Sequence, residues 1–176
     1  MKKVVLTVSL FVLCLSLSAL AQSQCEADGS LAANCGWESL PDFAGWTRSG
    51  DATFTTIEGG PVAHSGARGL QTGPGTALGC FEQNVPTDAG ALYDLSFWLR
   101  NQDAPNQFQV SWNGAVIYDQ TNMPTFPYTS SAALPVGDTS VFIGLAASDD
   151  TTTNLKFCFF NPPDYFHLDD VDVLAE

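Results

Sequence analysis

Tyr93-Asp94-Leu95-Ser96-Phe97-Trp98-Leu99-Arg100 is the clearest strand in the sequence. Tyr93, Leu95, Phe97 and Leu99 recur with a period of two and share one face; Asp94, Ser96, Trp98 and Arg100 share the other. A half-buried strand of this kind needs partners. The next stretch supplies two. Phe108-Gln109-Val110-Ser111-Trp112 and Ala115-Val116-Ile117-Tyr118-Asp119 flank Asn113-Gly114. Asn-Gly between apolar runs predicts a two-residue hairpin, because both residues tolerate positive φ. That register opposes Trp112 to Ala115, Val110 to Ile117 and Gln109 to Tyr118.

Working outward, further strands are expected over 51–57, 67–72, 77–85, 139–146 and 155–160, with a last one closing at Val171-Asp172-Val173. Gly59-Gly60-Pro61, Gly73-Pro74-Gly75 and Ser148-Asp149-Asp150 break the chain between them. Residues 120–135, rich in Pro, Thr and Ser, read as a loop or irregular edge. No stretch sustains a helical period. About nine or ten short strands separated by turns predict an all-β sandwich. It occupies residues 34–176 as one domain, preceded by a small, polar lead-in over 22–33.

The chain opens Met1-Lys2-Lys3 and then runs apolar from Val4 to Leu20, ending at the small-x-small site Ala19-Leu20-Ala21. This reads as a secretory signal peptide over 1–21, cleaved after Ala21, with no membrane insertion of the remainder. An uncleaved anchor is the alternative, and the run is short for one. Beyond it, only Arg48, Arg68, Arg100 and Lys156 stand against 19 acidic residues. Such a balance excludes nucleic acid, whose phosphates need a basic patch. It suits an extracellular protein that meets neutral polymers or divalent cations. Cys25, Cys35, Cys80 and Cys158 remain after the signal, and an even number in an exported chain predicts two disulfides. Three connectivities are open, and Cys25 with Cys35 plus Cys80 with Cys158 is favoured. A zinc site is the competing use of four cysteines, but no Cys-x-x-Cys knuckle is present.

Asp169-Asp170 is a pair of adjacent carboxylates entering the last apolar strand. Buried like charges are costly, so the pair lies in solvent or holds something positive. Trp98 and Arg100 share the polar face of their strand. If that strand neighbours the hairpin, Tyr118, Gln109 and Ser111 join them on one face. Aromatic rings there would stack on sugars and the polar groups would bond hydroxyls. The competing reading packs Trp98 under a loop or second layer. No catalytic constellation emerges: His64-Ser65 are only sequence neighbours, and no Gly-x-Ser-x-Gly elbow exists.

Several motifs carry a family resemblance in a fixed order. Asn34-Cys35-Gly36-Trp37-Glu38 resembles an Asn-Gly-x-Phe-Glu opening, with Cys35 in place of the glycine. Phe43-Ala44-Gly45-Trp46, His64-Ser65-Gly66, Tyr93 to Leu99, Phe108 to Gly114 and His167-Leu168-Asp169-Asp170-Val171 follow. Together they resemble exported bacterial carbohydrate-binding-module-like domains, also called galactose-binding-like. Such domains often carry a Pro-Glu-Pro C-terminal sorting tail; this sequence ends Leu174-Ala175-Glu176 without one, so release is expected over surface retention. The resemblance implies a jelly-roll β-sandwich of two antiparallel sheets. It also implies a structural Ca²⁺ held by Glu38, Asp169 or Asp170, and carbonyls of the turn around Ser65. Without metal, those carboxylates would accept hydrogen bonds from loop amides. The implied function is a secreted, non-catalytic module for extracellular carbohydrate or matrix polymer. A structural or adhesive envelope protein is the first alternative, and a small polysaccharide-acting enzyme the second.

Overall fold

The computed structural model describes residues 22–162 and 164–176; the signal-peptide reading of residues 1–21 lies outside them. Strands dominate: β1 (Thr47–Gly50), β2 (Thr55–Gly59), β3 (Arg68–Thr72), β4 (Gly79–Pro86), β5 (Leu92–Asn101), β6 (Gln107–Trp112), β7 (Ala115–Thr121), β8 (Phe126–Ser130), β9 (Leu145–Ala146), β10 (Thr152–Phe160) and β11 (Phe166–Ala175). One sheet has the order β1-β4-β10-β6-β7; the other runs β2-β3-β11-β5-β8, with β9 paired to β5. Every pairing is antiparallel. The expected all-β jelly-roll sandwich is what the chain forms.

Alternation on each strand builds the core. Leu95, Phe97 and Leu99 of β5 face Phe108 and Val110 of β6 and Leu155, Phe157 and Phe159 of β10, all fully or nearly fully buried. Their rings interlock: Phe97 meets Phe108 edge-on at 5.8 Å and Phe157 at 5.3 Å. The opening motif is core as well, since Trp37 stacks on Trp46 at 5.0 Å and meets Phe81 at 5.9 Å.

Both disulfides adopt the favoured pairing, Cys25–Cys35 and Cys80–Cys158. The second joins directly opposed residues of β4 and β10. The first belongs to the lead-in, which is not loose. Gln24–Asp28 forms a short helix, α1, with Cys25 buried against the sandwich. Residues 30–35 then run beside β11: Leu31 N–H donates to Val173 O at 3.0 Å, and Val171 N–H donates to Cys35 O at 3.0 Å. They line β11 beyond the short stretch, Phe166–Leu168, that pairs with β3.

One local expectation fails for an identifiable reason. The strand expected over 139–146 is mostly a 3₁₀ turn, Thr139–Phe142, because the Asp138 carboxylate accepts from Ser140 N–H and caps it; only Leu145–Ala146 pairs. The Pro/Thr/Ser-rich stretch contains a genuine edge strand, β8. Among the described residues no helix is long and apolar enough to cross a membrane.

Candidate functional site

The closing carboxylates are buried and fully engaged. Asp170 is 3 % exposed and Asp169 is not exposed at all. Asp170 sits in the left-handed region (φ 46°) inside the β11 irregularity, which turns its side chain towards α1 and the 60–66 loop. Its Oδ1 accepts from Gln24 N–H at 3.0 Å and Ser65 Oγ–H at 2.7 Å, and its Oδ2 lies 2.7 Å from His64 Nδ1. Asp169 Oδ2 accepts from the amides of His64 (2.7 Å) and Ser65 (3.3 Å), and its Oδ1 from Asp170 N–H at 2.8 Å. Burial, and then the charge of Asp170, push Asp169 up to about 8, against those amides, which pull it down. Glu38 Oε1 accepts from Ala67 N–H at 2.7 Å and Arg68 N–H at 2.9 Å. A Cβ on Gly66 would come within 2.2 Å of that oxygen, so glycine is needed there for the loop to approach.

Glu38 thus engages the 67–68 end of this turn, and Asp169 and Asp170 its 64–65 end. Their lone pairs point at N–H and O–H donors. Among the described residues no three His, Cys, Asp or Glu side chains form a group that could hold a metal ion. As folded, this donor set does not fit Ca²⁺, which requires six to eight oxygens; the amides would have to be displaced first. Ser65, His64 and Asp170 also bear on each other, but both Ser65 and His64 contact the carboxylate. A nucleophile would need its hydroxyl on the imidazole instead.

The five residues expected on one aromatic face do not share one. Trp98 and Arg100 lie on the outer side of the β5 sheet, Gln109 and Ser111 on the outer side of the β6 sheet, and Tyr118 in the core between them. Tyr118 moves because the hairpin shifts register. Trp112 opposes Ala115 as expected, but Ser111 opposes Val116 and Val110 opposes Tyr118, which leaves Ile117 as an extra residue. One inserted residue flips every later side chain to the other face. The Tyr118 ring then meets Phe108 at 6.0 Å and Phe142 at 5.3 Å, and its hydroxyl donates to Val136 O at 2.5 Å. Gln109 Nε2 is committed to Asp119 Oδ2 at 2.8 Å. Trp98 is half-buried, with His64 stacked on it at 3.8 Å and 14°. The 60–66 loop covers this face: Tyr128 Oη donates to Val62 O, and Arg100 Nη1 to Pro61 O at 3.4 Å.

Arg100, at the end of β5, escapes that cover. With Gln102, Thr125, Pro127, Tyr128 and Asp164 it lines an open groove of about 710 Å³. A smaller hollow of about 220 Å³ adjoins it through Asp164 and is lined by Phe54, Gly73, Pro162 and Tyr165. Phe54 is 68 % exposed and sits at φ 52°, a strained state for an aromatic residue. Its turn is braced by Asp51, whose Oδ1 accepts from Thr53 N–H at 2.9 Å and Oδ2 from Thr76 N–H at 3.0 Å. A Cβ on Gly73 would lie 2.9 Å from the Tyr165 ring, so glycine leaves the ring its seat.

Three buried asparagines hold these loops from inside. Asn101 Nδ2 donates to Met123 O at 3.0 Å and Pro124 O at 2.9 Å. Asn106 Nδ2 donates to Asp103 O at 2.7 Å and Met123 O at 2.9 Å, while its Oδ1 accepts from Met123 N–H at 2.9 Å. Asn161 Nδ2 reaches Asn101 Oδ1 at 3.2 Å, and Asn161 Oδ1 accepts from Asp164 N–H at 3.3 Å. Beneath the groove, buried Gln102 Oε1 has no donor, and neither ring nitrogen of His167 has an aligned partner. Burial, and then the Arg100 charge, hold His167 down at about 4, so it is neutral near pH 7.

Phe54, Gln102, Tyr128, Asp164 and Tyr165 were not legible as a site in the sequence. The one available signal was Phe54, a lone large aromatic in a run of threonines before a Gly-Gly-Pro break.

No family model matches the chain, and no curated protein matches it by sequence. Solved structures do match in fold. The chain is similar to TmCBM61, solved in complex with β-1,4-galactotriose, at 16 % identity and TM-score 0.56, covering 84 % of this chain and 99 % of that one. The two share a jelly-roll β-sandwich of antiparallel sheets. The chain is also similar to the Clostridium thermocellum xylanase 10B CBM22-1–GH10 structure complexed with xylohexaose, at 16 % identity and TM-score 0.51, covering 76 % of this chain and 26 % of that one. The Stig cyclase Fisc from Fischerella has the same architecture at 13 % identity and TM-score 0.51, covering 81 % of this chain and 94 % of that one. One architecture thus serves unrelated tasks, and the site has to carry the function.

Proposed function

We propose that this protein is a secreted, non-catalytic carbohydrate-binding module whose ligand lies across the loops around Asp164, at the end of β5. The observation that carries this is the pairing of exposed Phe54 with a groove of about 710 Å³, joined through Asp164. Phe54 and Tyr165 offer flat apolar surface for the C–H faces of a sugar. Arg100, Gln102, Thr125 and Asp164 offer donors and acceptors for its hydroxyls. The asparagine network holds this surface in place before a ligand arrives, which lowers the ordering cost of binding. The signal-like residues 1–21 and two disulfides support an oxidising, extracellular setting.

The test is a glycan array followed by calorimetry on wild type, Phe54→Ala and Tyr165→Ala. Saturable binding weakened by either substitution supports the reading. Binding that is lost in neither variant moves the ligand elsewhere. Recognition of cells or of itself, without any glycan, favours the adhesive alternative.

A further inference from the structure

We propose that Arg100 makes this groove select saccharides that carry a carboxylate, that is, uronic-acid residues. The inference rests on the carbohydrate reading above and narrows its ligand class.

Four basic residues lie in the described chain, and three are spoken for. Arg68 Nη2 pairs with Asp42 Oδ1 at 2.5 Å, and Lys156 Nζ with Glu82 Oε2 at 3.6 Å. The Arg48 guanidinium lies 4.2 Å above the Phe43 ring. Arg100 alone has neither a carboxylate nor an aromatic partner among the described residues. Its one hydrogen bond is a long contact to the Pro61 carbonyl at 3.4 Å. In a chain with 19 acidic residues, a cation without an acid is a departure from what composition supplies. It opens into the groove of about 710 Å³.

The surroundings favour an anion from outside. Across the ladder from Arg100, His167 is 2 % exposed and neutral near pH 7, so it neither competes for an anion nor supplies a counter-charge. Asp164 is on the groove wall, and among the described residues no ion pair joins it to Arg100. It stands where a hydroxyl donor would be received. Gln102 lines the same wall. A guanidinium fork matches a planar carboxylate in a bidentate geometry, and one cation matches one negative charge per sugar. A uronic acid presents that combination: one carboxylate for Arg100 and ring hydroxyls for Gln102 and Asp164. Long-range repulsion from the acidic chain is damped, because the screening length is about 8 Å at physiological salt. The local fork therefore decides.

The experiment is calorimetry with oligogalacturonate, oligomannuronate and oligoglucuronate, each beside its methyl ester, on wild type, Arg100→Lys and Arg100→Gln. Near-ultraviolet circular dichroism checks that the variants keep the native fold. At least one free acid is expected to bind about tenfold more tightly than its ester, the size of a charge-assisted hydrogen bond. Arg100→Gln should erase that ratio, whatever it does to binding of the ester, and Arg100→Lys should retain only part of it. Equal binding of acid and ester, or an acid preference intact in Arg100→Gln, overturns the assignment and leaves the carbohydrate reading standing. Failure of every uronate, ester and neutral glycan to bind overturns both.

Discussion

Replacing Asp170 tests how the two ends of the sandwich are joined. In Asp170→Ala, Ser65 Oγ–H and His64 Nδ1 lose their acceptor at a site only 3 % exposed, and Gln24 N–H is left with Ser65 Oγ at 2.8 Å. Each orphaned donor costs about 1–3 kcal/mol. Alanine also pays about 1 kcal/mol to hold the left-handed backbone that Asp170 adopts. Relaxation and water entry recover part of this, leaving about 4 kcal/mol. For a domain of this size each kcal/mol is worth about 2–4 °C, so Tm should fall by roughly 8–16 °C. Asp170→Asn should lose much less, about 1–2 kcal/mol. Its oxygen still faces Gln24 and Ser65, its amide meets His64 in the other tautomer, and asparagine tolerates the left-handed region. The assay is thermal melting of all three proteins at neutral pH, in excess Ca²⁺ and in chelator. Wild-type melting independent of Ca²⁺, with alanine far below asparagine, is the expected pattern. An alanine variant within about 2 °C of wild type would refute the hydrogen-bond account. A wild-type Tm that collapses in chelator would install the cation in its place.

Three further outcomes are expected. Asp169, pushed up to about 8, keeps a proton in the folded state that the unfolded chain releases above about 4, so its contribution is lost as pH rises towards 8. His167, held at about 4, resists a proton that the unfolded chain takes below about 6.5, so its contribution is lost as pH falls. The two oppose each other between pH 4 and 6.5. Denaturant titrations should show stability rising by about 1 kcal/mol or more from pH 8 to 6.5 and then levelling, with Asp169→Asn removing the rise; a rise towards pH 8 contradicts this. Phe54→Gly should raise Tm by a few degrees, since glycine relieves about 1 kcal/mol of left-handed strain, while abolishing glycan binding; a destabilised variant would show that the Phe54 ring is a packing element. Asn161→Ala, which cuts the link to Asn101 and to Asp164 N–H, should cost about 2 kcal/mol and speed hydrogen exchange at 101–106 and 161–165 more than in β10; uniform exchange would refute a local brace.

The sandwich was legible because its signals are local. Alternation in Tyr93–Arg100 and the Asn113-Gly114 turn depend on neighbours in sequence, and both hold. The cysteine pairing was also within reach, through count and spacing. The site was not. Placing Tyr118 beside Trp98 required two non-local facts: which sheet β6 and β7 join, and a one-residue bulge at Ile117. Hydrophobic patterning is nearly blind to a single inserted residue, because Val116, Ile117 and Tyr118 suit either face. The covering of Trp98 depends on the 60–66 loop returning over its strand, a contact of long sequence separation. The groove and its neighbour draw residues from positions 54, 73, 100–102, 125–128, 162, 164 and 165, and no window contains more than a fragment of that list.

The asparagine brace has a consequence for how such a protein changes over time. Asn101, Asn106 and Asn161 point inward and fix the path of the loops, whereas the Phe54 ring is 68 % exposed and the Asp164 carboxylate has no hydrogen-bond partner among the described residues. Scaffold and recognition are carried by separate sets of side chains. Exchanging an outward residue therefore alters what is recognised without re-solving how the loops fold. The same end of the sandwich can be re-aimed from one polymer to another by a few surface substitutions, and a library varied at those positions alone should remain folded throughout.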